Sequence, residues 1–434
     1  MKLRKSYAVS AAMVVLASAL TACGSGGDGP ASSDSGNGPV TMTFWHNSTT
    51  GPGKAFWDKT VADFEKTHPN VKITVQPIQN EELDGKLQTA LNSGSAPDIF
   101  LQRGGGKMAA MVQADQLLDI TGSITADTKQ VISAGSFKAE QLDGKTYAMP
   151  VATLPSGIFY SKDLFKKAGI TDTPKTMEDL NAAVGKLKAI GVDPVALGAK
   201  DAWPAAHWFY NFALRECSAD AMNKAAASKT FNDPCWIKAG KDLETFAATK
   251  PFNNGFLSTS AQQGAGSSAG LVANHKAAME DMGAWDPGVI ASLTPDQKPL
   301  PDLGWFSFPT ISGGQGDPAS IMGGVDGYSC SAQAPKPACT DFLNYMATTP
   351  VQEGYYKAFN APPVNTKAQG VVTEPYLKDI LAAYNKAPFV SQWLDTVYGQ
   401  NVGNALNTGV VDMLAGKGDP AGIIAAANNA AAKS

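Results

Sequence analysis

The stretch TMTFWHNSTTGPGKAFWDKTVADFEKTHPNVKITVQPIQNEELDGKLQTALNSGSAPDIFL, residues 41–101, decides the fold. Residues 41–45 are rich in β-branched and aromatic side chains and read as a buried strand. Trp57, Val61 and Phe64 then recur at i, i+4 and i+7, the apolar stripe of an amphipathic helix. His68-Pro69-Asn70 stops that helix, and Val71-Lys72-Ile73-Thr74-Val75 alternates as a half-buried strand does. A helix over 83–92 follows, and Ala96-Pro97-Asp98 leads into the apolar strand Ile99-Phe100-Leu101. Strand, helix, strand, helix, strand at this spacing predicts α/β layering, with helices over a largely parallel sheet.

The pattern restarts downstream. Residues 158–160 read as a strand and 162–168 as a helix. Thr176 with Asp179 three residues on has the form of a capping box, with Met177, Leu180, Val184, Leu187 and Ile190 as the apolar face behind it. Residues 195–197 read as the next strand and 205–217 as an aromatic-rich helix. Residues 277–284 read as a helix end running into strand or turn. Residues 303–309 and 321–330 are extended, and the last hundred residues are mostly helical. Pro- and Gly-rich crossings at 149–155, 309–316 and 361–363 point to two lobes crossed more than once. The expected division is 40–153 and 310–362 in the first lobe, 154–309 and 363–434 in the second.

The amino end sets the compartment. Lys2, Arg4 and Lys5 precede an apolar run over 8–20, too short to span a bilayer stably, so 1–22 reads as a signal peptide. Leu20-Thr21-Ala22-Cys23 resembles the bacterial lipobox, which implies cleavage before Cys23 and lipid attachment to its sulfur. Residues 23–39 form a Gly/Ser/Asp/Pro tether. Of 35 Lys+Arg, 32 then remain against 39 Asp+Glu, a net charge near −7. That balance argues against nucleic acid or anionic lipid as partner, and leaves the lipid anchor as the membrane contact. Cys217, Cys235, Cys330 and Cys339 remain, an even number in an oxidising compartment. Three pairings are open; sequence proximity favours Cys217–Cys235 and Cys330–Cys339, each worth about 3 kcal/mol in the chain-entropy model. A zinc site built from all four would lack any CxxC pair.

Several strings together resemble the ATP-binding-cassette sugar-binding proteins. They are Phe44-Trp45-His46, then FEKTHPNVK at 64–72, SAPDIF at 95–100, Tyr147-x-Met149-Pro150, FYSKDLF at 159–165, and AAM-x-x-MG-x-W ending at Trp285. They span residues 40–431 in the family's order. Closer still, Gln79-Asn80-Glu81, Arg103-Gly104-Gly105-Gly106-Lys107, DAWPAAHW at 201–208 and Gly323-Gly324-Val325-Asp326-Gly327 resemble xylo-oligosaccharide-binding lipoproteins of high-GC Gram-positive bacteria. The resemblance implies a two-lobe periplasmic-binding-protein-like fold with the ligand cleft between lobes. It also implies a monomer that hands a short oligosaccharide to membrane permease subunits, with no cofactor and no metal.

A pyranose has two C–H-rich faces and a rim of hydroxyls, so it is held between aromatic planes with polar groups around the edge. Of eight tryptophans, Trp203, Trp208, Trp285 and Trp393 fall where the family lines its cleft, with Gly, Pro, His, Asp or Gln beside them. Trp57 and Trp236 read as packing, Trp305 as core or site, and Trp45 stays unassigned. For the polar rim, Asn47, Glu81, Gln102, Arg103 and Lys107 follow strands that end at the cleft. Asp326 orients a turn or accepts from a hydroxyl, and His207 is either a ring-edge partner or a satisfied helix histidine. The loop 103–107 is also glycine-rich enough to cradle phosphate, though it lacks the Walker spacing. An enzyme is the competing class. Glycoside hydrolysis needs two carboxylates facing across a sugar, and adjacent pairs such as Glu81-Glu82 and Glu280-Asp281 do not face each other on a helix.

Overall fold

The computed structural model describes residues 38–433. The expected signal peptide, Cys23 and nearly all of the tether lie outside the described residues. Eleven strands are present: β1 (Val40–His46), β2 (Val71–Pro77), β3 (Ile99–Gln102), β4 (Gln141–Leu142), β5 (Lys145–Thr146), β6 (Met149–Ser161), β7 (Asp193–Val195), β8 (Ala277–Gly283), β9 (Leu303–Phe306), β10 (Ile321–Cys330) and β11 (Val390–Ser391). All but the small β4–β5 hairpin join one sheet, in the order β2-β1-β3-β10-β6-β8-β7, with β9 beside β6 and β11 beside β10.

The opening pattern gives β1, β2 and β3 as parallel neighbours, each pair separated by a helix. The sheet as a whole is mixed, which corrects the largely parallel expectation. β10 returns from the far side of the molecule and runs antiparallel to both β3 and β6. The 13-residue β6 changes partners along its length: 149–155 pair with β10, while 156–161 pair with β8 and β9. At the Asp326/Gly327 step the β10–β6 register shifts by one residue, a bulge that leaves Val151 extra.

Two large cores follow. Phe44, Trp57, Phe64, Ile99, Tyr328 and Phe342 anchor the first, and Ile158, Leu180, Trp208, Trp236, Leu243 and Leu406 the second. β8 feeds both, because Ala277 and Met282 face one cluster while Ala278 and Met279 face the other. A strand covered on both faces shows no polar alternation, which is why 277–284 was ambiguous as sequence. The Thr176 capping box closes as expected: Thr176 accepts from the Asp179 amide and the Asp179 carboxylate accepts from the Thr176 amide. Both favoured disulfides, Cys217–Cys235 and Cys330–Cys339, are present.

Arg215 ties the crossing segment down. Its buried guanidinium donates to the carbonyls of Pro309 (3.2 Å), Ser320 (2.9 Å) and Phe308 (2.8 Å). These lie at the two ends of the connection from β9 to β10.

Candidate functional site

Four of the aromatic candidates converge. Trp203 opens the helix Trp203–Glu216, and His207 lies one turn on, on the same face. Trp285 follows β8, and Trp393 follows β11. His207 stacks on Trp393 at 3.7 Å between centroids and 15° between planes. Trp285 stands 6.1 Å from Trp203, 6.2 Å from His207 and 5.7 Å from Trp393. Burial pushes the His207 pKa down to about 3, so the ring is neutral. His207 Nδ1 and the indole N–H groups of Trp203 and Trp285 are buried without a hydrogen-bond partner among the described residues. Unpaired donors beside apolar ring faces are what a hydroxyl-bearing ligand needs.

Glycines seat the rings. A Cβ on Gly283 would stand 2.0 Å from the Trp285 ring, and one on Gly324 of β10 would stand 3.0 Å from Trp393. On β6, Gly157 lies under Trp305 in the same way, at 2.3 Å from its Nε1. Trp305 packs in the first core, and its N–H also lacks a partner among the described residues. Trp203 is aimed by backbone strain. Ala202, its N-cap, has φ 63° and ψ −50°, a conformation costing an alanine about 1–3 kcal/mol. The preceding Asp201 carboxylate pins this turn by accepting from the Ala261 amide at 2.7 Å.

A second cluster lies beside the rings. Arg103 donates to Asp84 (3.1 Å) and Asn80 (2.6 Å), and its Nε stands 3.7 Å from Asp326. Lys107 donates to the other Asp84 oxygen at 2.6 Å. Burial alone would raise Asp84, but Arg103 and Lys107 carry it below its ordinary range. Asp326 is raised by burial, only partly offset by Arg103. Asn47 joins the rim by donating to Asn80 at 3.3 Å. The two clusters meet where Gln392, next to Trp393, donates to the Arg103 carbonyl at 3.2 Å.

The remaining candidates go elsewhere. Trp208 is 1 % exposed and stacks on Phe246 in the second core, so the expectation that it lines the cleft is corrected. One residue beyond His207 is a turn of about 100° around the helix, which points it inward. Gln102 is 3 % exposed and closes on its own loop, accepting from the Arg103 amide at 2.9 Å. Glu81 is exposed, with Gln263 donating to it across the mouth at 3.5 Å and to Gln79 at 3.2 Å. The phosphate reading of the glycine loop does not fit, since Arg103 and Lys107 are already paired. Its glycines serve close packing instead: a Cβ on Gly104 would meet the Ala139 carbonyl at 2.1 Å, and one on Gly106 the Val397 carbonyl at 2.5 Å. Among the described residues, no group of three or more His, Cys, Asp or Glu side chains is placed to hold a metal.

Sequence reasoning missed Asn80 and Asp84, although their i, i+4 spacing puts both on one helix face toward Arg103. It also missed Asn211, one turn beyond His207. The Asn211 amide donates to Asp281 on β8 at 3.0 Å, and Ser156 donates to the same carboxyl at 3.3 Å. Burial raises Asp281 from 3.8 to about 7, with the Asn211 and Ser156 hydrogen bonds opposing. Glu280 and Asp286 are fully buried and raised as well, Glu280 first by burial and then by the charge of Asp286. The folded protein therefore holds these protons to higher pH than the unfolded chain. Stability contributed by Asp281 is complete below about pH 4 and is lost as pH rises toward 7. Thermal melts should show a midpoint falling between about pH 4 and pH 7, and Asp281→Asn should flatten that slope. A midpoint that climbs over this range would contradict the assignment.

The family description "Bacterial extracellular solute-binding protein" matches residues 46–353. The chain is 28 % identical over 388 residues to an uncharacterized ABC transporter extracellular-binding protein of Pyrococcus horikoshii, covering 87 % of this chain and 84 % of that one. It is 23 % identical over 434 residues to the diacetylchitobiose binding protein of Streptomyces coelicolor, covering 96 % and 94 %. A solved structure from work on xylan utilization by Caldanaerobius polysaccharolyticus superposes with a TM-score of 0.82 at 25 % identity, covering 91 % of this chain and 99 % of that one. With the family model matching residues 46–353, most of its length, the chain belongs to the bacterial extracellular solute-binding proteins.

Proposed function

We propose that this protein is the substrate-binding component of an ABC-type carbohydrate importer, a binder and not a catalyst, whose ligand is a short oligosaccharide. The observation that carries the reading is the ring cluster Trp203–His207–Trp285–Trp393, with its unpaired donors. Relatives named for diacetylchitobiose binding and for xylan utilization support a sugar. A xylo-oligosaccharide is the specific ligand we favour, on the sequence resemblance at 79–81, 103–107, 201–208 and 323–327.

Residues 40–153 and 310–362 form one lobe, and 154–309 and 363–434 the other. Sugar binds one lobe first, and the second closes because its contacts exist only in the closed state. β6, which runs from one lobe into the other, is the strand about which closure turns. The protein acts as a monomer held to the outer face of the membrane through Cys23, and passes its ligand to permease subunits.

Calorimetric titration of the purified protein with xylo-, cello-, malto- and chito-oligosaccharides and phosphate tests this. One sugar series should bind at about micromolar Kd, near −8 kcal/mol, with no product formed. Heat from phosphate alone, or from none of the panel, would overturn the carbohydrate reading.

A further inference from the structure

We propose that the ion cluster beside the rings restricts the site to neutral sugars, and that Asp326 is the specificity-determining residue that turns anionic sugars away. This rests on the carbohydrate reading above.

Arg103 stands where an acidic ligand would look for its partner, at the end of β3 and against the segment that carries Trp393. Each of its three nitrogens already faces a partner: Nη1 donates to Asp84, Nη2 donates to Asn80, and Nε lies 3.7 Å from Asp326. Lys107 is committed to Asp84. Asp395, two residues beyond Trp393, adds a third carboxylate to the field at Arg103. Two cations thus face three carboxylates, and the neutral His207 adds no positive charge. An anion entering here would lose water, meet two cations already offset by carboxylates, and face surplus negative charge, which is how binding sites exclude a competitor. A neutral pyranose meets only ring faces, indole donors and carboxylate acceptors for its hydroxyls.

Asp326 is placed for this role by the alternation of β10, in the last regular pair before the bulge. It lies two residues from Gly324, the seat of Trp393, and so on the same face of β10. The neighbouring Glu140 is fully buried, and neither of its carboxyl oxygens has a partner among the described residues. Burial first, and then the charge of Asp326, hold it protonated. Glu140 is therefore a hydrogen-bond donor at this spot and adds no charge.

The test compares three ligands by calorimetry on the purified protein: xylotetraose, xylotetraose carrying one glucuronate branch, and the methyl ester of that branch. Ester and acid have nearly the same shape and differ in charge. Should another sugar series be the one that binds, its tetraose and the tetraose 6-phosphate replace the xylan ligands. The acid should bind at least about tenfold more weakly than the ester at low salt, with the gap shrinking as salt is raised. Asp326→Asn, which removes a charge and releases Arg103 Nε, should narrow the acid-to-ester ratio severalfold, and Asp326→Glu should restore it. Asp84→Asn should narrow it as well, so the conclusion does not depend on one variant folding. Equal affinity for acid and ester, or a ratio that neither neutral variant moves, would overturn the proposal while leaving sugar binding intact. Silence from every neutral sugar would instead overturn the carbohydrate reading, and this inference with it.

Discussion

Trp285→Ala should weaken oligosaccharide binding by about a hundredfold, the largest loss expected from any single ring. Trp285 is the tryptophan in contact with all three other rings, Trp203, His207 and Trp393, a position it shares with His207. It lies folded back on Gly283, which leaves no space for a β-carbon beneath it. Removing it deletes a wall and leaves the remaining rings free to turn. A loss of about 2–3 kcal/mol corresponds to that factor, since each 1.4 kcal/mol is tenfold. Calorimetry on the variant checks it, and Trp285→Phe should recover part of the affinity by keeping a ring. Trp208→Ala is the contrasting case. That ring fills the second core, so the change should cost about 3–5 kcal/mol of stability without removing a ligand contact. An unaltered Kd in Trp285→Ala would remove the ring cluster from the binding site.

Arg215→Leu should be the most destabilising single change outside the hydrophobic core, at about 3–5 kcal/mol. The cost does not come from a broken ion pair, because the three acceptors are backbone carbonyls, of Phe308, Pro309 and Ser320. Each would be left buried without its donor. Burial lowers the guanidinium pKa to about 10, with Asp317 and Asp281 opposing, so it remains charged at neutral pH. Chemical denaturation followed by tryptophan fluorescence measures the loss. Arg215→Lys should restore only part of it, since one ammonium does not reproduce the planar fork that reaches three oxygens. A variant as stable as the parent would show that the connection from β9 to β10 is held by other contacts.

The opening strands and helices were legible because their apolar residues repeat with the local period of each element. The Thr176 capping box and the two disulfides were legible for a similar reason, since their partners are close in sequence. The return of β10 between β3 and β6 was not. That placement pairs Tyr328 with Leu101 and Met149, positions far apart in the chain, and no local pattern encodes it. At the site, Trp203, Trp285 and Trp393 stood out because they fall in segments resembling the family's cleft lining and have small or polar residues close by. His207, between Trp203 and Trp208, stood open between a ring-edge partner and a helix histidine. Trp208 shared those neighbours and misled, because helical phase alone sends it inward. The seats Gly157, Gly283 and Gly324 carry no local signal, because their role depends on rings brought over them by the fold. Asp84 was missed because a lone acid on a helix surface looks solvated until Arg103 and Lys107 arrive from another element.

β6 has a consequence for how the molecule comes apart. Residues 149–155, Val151 excepted, pair with β10 and 156–161 with β8 and β9, and β10 in turn pairs with β3. Neither lobe can lose its sheet without stripping hydrogen bonds from a strand the other lobe needs. The two lobes should therefore melt as one cooperative unit, which a single transition in a calorimetric scan would show, and a fragment carrying only one of them would leave unpaired strand edges.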